Sequence, residues 1–489
     1  MGLRNKQFDL PALAAGHVIP QNDFLRSRCV GMAVGLLLLA VCAAILSSPA
    51  HAIDYPNKLQ LIEMLRDGSL AKLERRLEAY QSAFENGRAS DEIVEAAYFA
   101  FANSDQALAE KLDHWVETAP DSYAARGARG VYFWRLGWIA RGADLSLEPS
   151  RQQARIMRRF FALAERDLEA AIDMHPRFSL GYAIQISIGM ASIQRDDHTF
   201  MMRRGLNIVP ESFAIREWYL ASLEPWWRSG LPDKLALAVI SEIVETTKEA
   251  AKRYPRLTPL IGYADYVRAQ MHLQAEQYPD ALKAINLALA AGDYWRYHDL
   301  HGQIQYREHR CVSALQSYDR ALAQHPQVAA VYNMRGQVRQ CVDNYEGALE
   351  EWDRALALDA MEPTYLLAKG EALQKLGRYE DAREVLDKAV FYGAYDPAVR
   401  ATRGTLLFHY LDQAEAALDD LKYATEMEPG RATYWRDYGD ALFQANRCDA
   451  AAALATFMHL CKGGSACLRE DLDWAAGAIE DISRADCQR

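Results

Sequence analysis

Residues 329–358, AAVYNMRGQVRQCVDNYEGALEEWDRALAL, contain the pattern that decides the fold. Gly336 is followed twelve residues later by Ala348, and then by the bulky Trp352 and the small Ala355. The same order recurs on both sides with a period close to 34 residues. The recurring glycines are Gly302, Gly336, Gly370, Gly404 and Gly439, and the alanines that follow the first four are Ala314, Ala348, Ala382 and Ala417.

This spacing has a mechanical reason. Two helices approach closely only where the side chains at their crossing are small. A bulky residue such as Tyr318 or Trp352 then fills the space beside the crossing, and the next alanine lets the following unit dock. Proline cannot continue a helix, so Pro326 and Pro429 mark the ends of units. Each period therefore predicts one helical hairpin.

The pattern resembles the tetratricopeptide repeat, a 34-residue helix–turn–helix unit. The resemblance implies an all-α, right-handed solenoid of helical hairpins over residues 262–465. Residues 466–489, with a helix at 468–482, would form the polar cap that such arrays require. In this class of protein the first helix of each unit lines a concave surface that binds other proteins.

Residues 53–261 are predicted to form helices punctuated by proline and glycine, with degenerate repeats of the same kind. Residues 70–255 also resemble the uncharacterised DUF4034 domain. The resemblance depends on YAARGARGVYFWRLGWIARG at 123–142, LDHW at 112–115 and EPWW at 224–227. It implies no activity, because that domain has no agreed biochemical function.

The first 52 residues predict export. Val30–Leu46 carries no charge, and Ala50-His51-Ala52 fits the cleavage pattern of a secretory signal peptide. The alternative is an uncleaved membrane anchor at residues 30–46. The first alternative places the rest of the chain in the periplasm or outside the cell. The second anchors it in the inner membrane, facing the periplasm of a bacterial cell envelope.

The net charge of the 489-residue chain is −11. Nucleic-acid binding depends on neutralising phosphates, and adhesion to anionic membranes needs basic clusters. The composition therefore disfavours both kinds of partner.

Six cysteines lie beyond the export segment, and an oxidising compartment favours their pairing. Cys311 and Cys341 fall at the turn ends of adjacent repeats, where stacking would bring them within bridging distance. Cys448 and Cys487 repeat this arrangement, and Cys461 and Cys467 flank a short turn. The predicted pairs are Cys311–Cys341, Cys448–Cys487 and Cys461–Cys467. The alternative is a set of buried free thiols.

One predicted helix combines arginines, aromatic residues and three glycines. As a functional site, it would present guanidinium groups to an anionic ligand beside aromatic faces. The site residues would be Arg126, Arg129, Trp134, Trp138 and Arg141. In the structural alternative, the glycines allow a close helix crossing, the aromatic rings are core, and the arginines pair with Glu117, Asp121 or Asp144.

The concave positions of the repeats form a polar lining of mixed charge, which suits an extended peptide or a partner helix. These residues are Arg296, Asp299, Gln303, Tyr306, Asn333, Gln337, Glu371, Gln374, Phe408, Arg436, Asp440 and Phe443. The lining does not reproduce the basic carboxylate clamp of chaperone-binding repeats.

No catalytic motif, cofactor or metal site is predicted from the sequence. His298 and His301 lie three residues apart, but they fall at helix-packing positions and a third ligand is missing. The sequence therefore favours an exported protein-interaction scaffold whose partner is another protein. One alternative is an envelope enzyme or a glycan- or anion-binding protein, with its site in residues 70–255 and the repeats as a docking arm. A third is a component of an envelope polysaccharide or secretion apparatus.

Overall fold

A computed structural model describes residues 54–103, 105, 107–141, 151–191, 197–225, 233–359, 362–392, 396–462 and 467–484. Every regular element within these ranges is a helix, which confirms the all-α fold class. The chain from Tyr55 onward forms one compact unit. Among the helices described, none is both long enough and apolar enough to cross a bilayer. The predicted export segment, residues 1–52, lies outside the described ranges.

Four helices precede the hairpins. They are α1 (Lys58–Arg66), α2 (Leu70–Glu85), α3 (Glu92–Tyr98) and α4 (Ala107–Thr118).

Most later helices pair in chain order into hairpins, each with a first and a second helix. Before residue 262, α5 (Tyr123–Arg141) pairs with α6 (Arg151–Met174), and α7 (Ser179–Met190) pairs with α8 (Asp197–Ile208). They are followed by α9 (Phe213–Ser222), which packs mainly on α7, and by α10 (Asp233–Arg253). A 3₁₀ helix, Pro255–Gly262, follows α10.

The hairpins after residue 262 have nearly constant length. They are α11 (Tyr263–Gln274) with α12 (Tyr278–Ala291), α13 (Trp295–Arg307) with α14 (Cys311–Gln324), α15 (Ala329–Cys341) with α16 (Tyr345–Leu358), α17 (Pro363–Lys375) with α18 (Tyr379–Tyr392), α19 (Pro397–His409) with α20 (Ala414–Met427), and α21 (Ala432–Gln444) with α22 (Ala450–Lys462). Helix α23, Arg469–Arg484, ends the described chain.

The recurring glycines lie at helix crossings, as the sequence predicts. A Cβ atom added to Gly336 would lie 2.8 Å from Trp352 Cε2, and one added to Gly302 would lie 2.8 Å from Tyr318 Cζ. At Gly370 the nearest atoms belong to Leu386, at 2.7 Å. Both helices of each hairpin therefore come together at a point where only a hydrogen fits.

The hairpin of α5 and α6 follows the same rule. A Cβ atom at Gly130 would lie 2.8 Å from Leu168 Cγ, and one at Gly127 would lie 2.8 Å from Phe178 Cζ. Leu168 is fully buried, like Trp352 in the later repeat. Residues 123–174 therefore form a helical hairpin with the same kind of crossing.

Buried ion pairs connect the helices within a hairpin and link neighbouring hairpins. An arginine just ahead of a crossing glycine binds a buried carboxylate on its own second helix and an exposed carboxylate on the preceding hairpin. The residues are Arg335 with Glu351 and Asp319 (both 2.7 Å), and Arg403 with Asp420 (2.7 Å) and Asp387 (2.9 Å). Because Glu351 is 0% exposed, its charge is stable there only when paired.

One hydrophobic cluster runs across the domain boundary expected at residues 261–262. It extends from Ile172 to Ile304 and includes Leu260 and Val267 on either side of that boundary. The degenerate and regular repeats therefore share a continuous core.

Two of the three predicted disulfides are present. Cys311 and Cys341 are bonded with a Cα–Cα distance of 6.2 Å, and Cys461 and Cys467 with 5.7 Å. Cys448 is also disulfide-bonded. Its predicted partner, Cys487, lies outside the described residues, so that pairing stays a prediction.

Helix α23 covers the last hairpin. Ala475 and Ala478 on α23 are buried together with Leu454 and Phe457 of α22. The polar outer surface of α23 replaces the hairpin that would otherwise follow.

Candidate functional site

The first helices of the N-terminal hairpins are covered by the chain itself. Phe99, just after α3, stacks on Trp134 of α5 with ring centroids 5.4 Å apart. Trp218 Nε1 on α9 donates to Glu95 Oε1 on α3 at 3.3 Å. Asp91 Oδ1 accepts the backbone N–H of Phe213 at 2.9 Å, which caps the start of α9. Helix α3 therefore occupies the surface where a solenoid of this kind would otherwise receive a ligand.

The C-terminal hairpins leave the corresponding surface open. A groove of about 510 Å³ crosses the first helices α15, α17, α19 and α21, and we call it the C-terminal groove. Its walls include Gln340, Glu371, Gln374, Thr405, Thr433 and Asp437.

Hydrogen-bonding groups line the C-terminal groove without all being satisfied. Gln374 Nε2 is buried and has no hydrogen-bond partner. Thr405 Oγ1 donates to Ala401 O at 2.8 Å and lies 3.3 Å from Asp437 Oδ2. Burial raises the pKa of Glu371, although nearby Lys375 opposes the rise. The groove thus combines donors and acceptors of the kind that a peptide backbone requires.

The predicted groove residues at the start of the array lie elsewhere. Arg296 Nε donates to Glu217 Oε1 at 2.6 Å, inside a separate cavity next to α3. Asp299 accepts from Gln303 Nε2 at 3.1 Å, and burial raises the pKa of Asp299 to about 6. Tyr306 packs against the core around Cys311. These residues do not join the C-terminal groove.

Other predicted groove residues are engaged within the fold. Asn333 Oδ1 accepts from Trp352 Nε1 at 2.9 Å and so holds the ring that fills the Gly336 crossing. Arg436 pairs with Asp437 at 2.8 Å and with Asp471 of α23 at 3.0 Å.

The remaining two predicted groove residues at the end of the array, Phe443 and Asp440, also contact other side chains of the fold. The Phe443 ring lies edge-on to Trp474 of α23, with centroids 6.3 Å apart. Asp440 Oδ1 accepts from Gln444 Nε2 at 3.5 Å, and burial raises the pKa of Asp440.

Phe408 was assigned to the groove surface, and this was wrong. Its side chain is 3% exposed and packs in the core with Leu407, Leu421 and Leu442. Phe408 follows Gly404 by four residues, just as Gln374 follows Gly370, so the same repeat position carries a groove-lining amide in one unit and a buried ring in the next. Gln337 is half-buried on α15, and Glu371 and Gln374 do line the groove.

Two of the three arginines proposed as an anion site, Arg126 and Arg129, are paired with carboxylates. Arg129 makes two bonds to fully buried Asp167 (2.7 and 2.8 Å), and a third to Asp113 at 2.9 Å. Arg126 Nη1 also donates to Asp167, at 3.3 Å. Arg129 precedes a crossing glycine, so these bonds match the pattern of Arg335 and Arg403 in the later repeats. For Arg126 and Arg129 the described partners are thus Asp167 and Asp113 rather than Glu117 or Asp121, while Asp144 lies outside the described residues.

The aromatic residues of the same helix belong to the core. Trp134 is 8% exposed and donates to Ser187 Oγ at 3.0 Å. Trp138 lies edge-on to Phe161, with ring centroids 5.6 Å apart. Arg141 ends α5. The expected ligand-facing surface is thus a packing surface.

Three acidic residues that the sequence analysis did not select meet in one place. Glu92 and Glu95 of α3 and Glu217 of α9 line the cavity next to Arg296. A local signal exists, since the two acidic residues stand three apart in the otherwise apolar segment EIVEAAY. Within the described ranges no group of three His, Cys, Asp or Glu side chains has a geometry suited to a metal ion. His298 instead pairs with Asp293 at 2.6 Å, and His301 bonds Ser317 at 3.0 Å.

The tetratricopeptide-repeat family model matches residues 342–398 and 407–456. Three solved structures of repeat proteins are similar to the chain. YrrB, described as a tetratricopeptide-repeat protein with an unusual peptide-binding site, is 21% identical, covering 41% of this chain and 99% of its own, with a TM-score of 0.33. A tetratricopeptide-repeat protein from Parabacteroides merdae is 16% identical, covering 51% of this chain and 94% of its own, with a TM-score of 0.37. The protein TTC0263 from Thermus thermophilus is 20% identical, covering 38% and 98%, with a TM-score of 0.31. No curated protein matches the sequence.

The matched residues coincide with hairpins whose crossing glycines, buried fillers and 34-residue period follow one rule. The chain is therefore an all-α solenoid that contains tetratricopeptide repeats.

Proposed function

We propose that the protein is an exported interaction scaffold that holds an extended segment of a partner protein in the C-terminal groove. Tetratricopeptide repeats generally mediate contacts between proteins, and the matched repeats surround this groove. The N-terminal hairpins already bind α3, so the open surface for a partner is at the other end of the array.

The observation that carries the proposal is the buried amide of Gln374. A buried donor without an acceptor costs about 1–3 kcal/mol, and a carbonyl of a bound peptide would remove that cost. Thr405 and Glu371 lie in the same groove and supply further polar contacts. A mixed lining of this kind favours an extended backbone over a purely apolar helix face.

Peptides selected from a displayed random library on the purified protein test this function. We expect Gln374→Ala to weaken a selected peptide about tenfold, the effect of one hydrogen bond of about 1.4 kcal/mol. Fluorescence anisotropy measures the affinity. Glu384→Ala, on the exposed side of α18, is the matched control and should leave the affinity unchanged. Selected peptides that bind both variants like the wild type would show that the groove is not the binding surface.

Asn333→Ala and Arg436→Ala are poor test variants, because each also removes a contact within the fold. Gln374→Ala removes no hydrogen bond that the donor Nε2 makes in the free protein. A loss of affinity in this variant therefore reports on the ligand.

Export is the second part of the proposal. The disulfides Cys311–Cys341 and Cys461–Cys467 support an oxidising compartment, because cytosolic proteins rarely keep such bonds. Mass spectrometry of the native protein distinguishes a chain that begins at Ile53 from one that keeps residues 30–46. A cytosolic, fully reduced protein would overturn this part. The resemblance of residues 70–255 to the DUF4034 domain stays a prediction that adds no activity.

A further inference from the structure

A cavity of about 200 Å³ lies between α3, α9, α13 and the residues just before α1. Aromatic rings form part of its wall, including Phe99, Tyr294 and Trp295. The cavity is separate from the C-terminal groove, and the proposed scaffold function makes no use of it.

The charges around the cavity do not balance. Arg296 Nε donates to Glu217 Oε1 at 2.6 Å, and the Tyr294 hydroxyl donates to the same oxygen. Lys58 directs its ammonium group to the backbone carbonyl of Gln327 at 3.2 Å. Arg296 and Lys58 thus make their described hydrogen bonds to groups other than Glu92 and Glu95, which also face the cavity. Burial lowers the pKa of Lys58, and the nearby charge of Glu95 opposes this shift, so three carboxyls share two basic side chains.

Among these groups, Glu95 gives the strongest indication that a cation is missing. It is only 9% exposed, and its described hydrogen bond comes from the neutral indole of Trp218, at 3.3 Å. A buried carboxylate is normally paired with a cation, because removing its charge from water is costly. Arg296 acts on both Glu92 and Glu95, but its guanidinium group is already bound to Glu217.

We propose that this cavity binds a small organic cation, a primary ammonium or guanidinium group, between the carboxylates of Glu92 and Glu95. The volume is sufficient for such a head group with a short alkyl chain. Aromatic rings attract cations, and the wall already shows this, because the Arg296 guanidinium lies over the Trp295 ring at 4.7 Å. Phe99 is a further ring in the wall, and it stacks on Trp134. Anions are disfavoured, since the carboxylates outnumber the basic side chains.

The raised pKa values of the carboxyls that line the cavity agree with a missing cation. Burial, together with the charge of Glu217, raises the pKa of Glu92 and that of Glu95 to about 8. Asp91 on the same helix also has a pKa raised by burial, and burial lowers the pKa of His325 to about 4, so the imidazole stays neutral. A bound cation would favour ionised carboxylates. Binding near pH 7 is therefore expected to release protons, and affinity should increase as the pH rises from 6 to 8.5.

Isothermal titration calorimetry of the full chain with methylguanidinium or butylammonium tests the proposal, repeated in buffers of different ionisation enthalpy. We expect saturable binding with proton release, and at least a tenfold weaker affinity for Glu95→Gln and for Glu92→Gln. Glu110→Gln, an exposed carboxylate on α4, is the control and should bind like the wild type. Acetate and ethanol should not bind.

The source of the cation is a second arm of the same experiment. Tighter binding of a blocked lysine, with its backbone amides capped, assigns the site to a lysine side chain of a partner. Tighter binding of butylammonium assigns it to a free amine.

Loss of the fold does not complicate the result, because Glu95→Gln keeps an oxygen acceptor for Trp218 and replaces a buried carboxyl, whose pKa is raised to about 8, by a group that never ionises. Thermal melting should show Glu95→Gln to be at least as stable as the wild type. The absence of binding to either cation at 10 mM, on the order of the weakest specific affinities, would overturn the proposal. Equal affinity in wild type and Glu95→Gln would do the same.

Discussion

Replacing Gly336 by alanine separates helix propensity from packing at a crossing. In an exposed helix interior this change stabilises by about 1 kcal/mol. At position 336, however, the new methyl group would lie 2.8 Å from Trp352 Cε2. Trp352 is fully buried, and its Nε1 is held by Asn333 at 2.9 Å, so the ring has little freedom to move.

Overpacking a well-filled core costs about 1–3 kcal/mol. We take the upper part of that range for a fixed indole, so that the net effect of Gly336→Ala is a loss of about 2 kcal/mol after the propensity gain. Gly370→Ala meets the flexible Leu386 instead and should cost less.

Gly477→Ala is the matched control. Gly477 lies within α23, where a new Cβ atom would have no neighbour within 4 Å. It should stabilise the chain by about 1 kcal/mol. Urea unfolding followed by circular dichroism gives the free energies, and hydrogen exchange over residues 329–358 localises the effect. Equal stabilisation by Gly336→Ala and Gly477→Ala would refute the claim that the repeat glycines are required by close crossings.

Three further outcomes are expected. Glu92 and Glu95 have pKa values of about 8 in the folded chain and 4.5 as the reference, so their stabilising contribution is complete below pH 4.5 and is lost as the pH rises through 8. At about 1.4 kcal/mol per pH unit, thermal melts should show a loss of up to about 4 kcal/mol per carboxyl between pH 5 and 9, and this loss should be absent in the Glu92→Gln, Glu95→Gln double variant. Glu351→Gln leaves Arg335, Arg339 and Arg354 without their buried carboxylate partner. Urea unfolding should show a loss of about 2–4 kcal/mol, whereas an unchanged midpoint would contradict the structural role of Glu351. Replacing Cys311 and Cys341 by serine should cost about 2–4 kcal/mol, and a reducing agent should then weaken the wild type more than this variant.

The repeat architecture was predictable from sequence because its determinants are local. Gly302 and Tyr318 are 16 residues apart, and the pairs Gly336–Trp352 and Gly370–Leu386 repeat that spacing. The disulfide between Cys311 and Cys341 followed from the same register. The lining of the groove was less predictable: Gln374 and Glu371 lie in the groove, whereas Phe408, at the repeat position of Gln374, is buried in the core.

The arginines of α5 show why a local pattern can mislead. Arg129 and the aromatic residues around it suggest a ligand site, yet Asp167 lies 38 residues further along the chain and takes up the charge. In hindsight the signal was present, because Arg129 stands immediately before Gly130, as Arg335 stands before Gly336.

The sequence by itself determined that the chain folds into stacked hairpins. A small residue at a fixed interval allows each pair of helices to cross closely, and this depends only on residues within that hairpin. Only the tertiary structure decided that α3 covers the N-terminal hairpins and that Glu95 meets Trp218, 123 residues away. Contacts at that separation depend on the number of hairpins between the two residues and on the curvature of their stack. No periodicity within a single repeat specifies that number, so the cavity and the open groove emerge only when the hairpins are assembled.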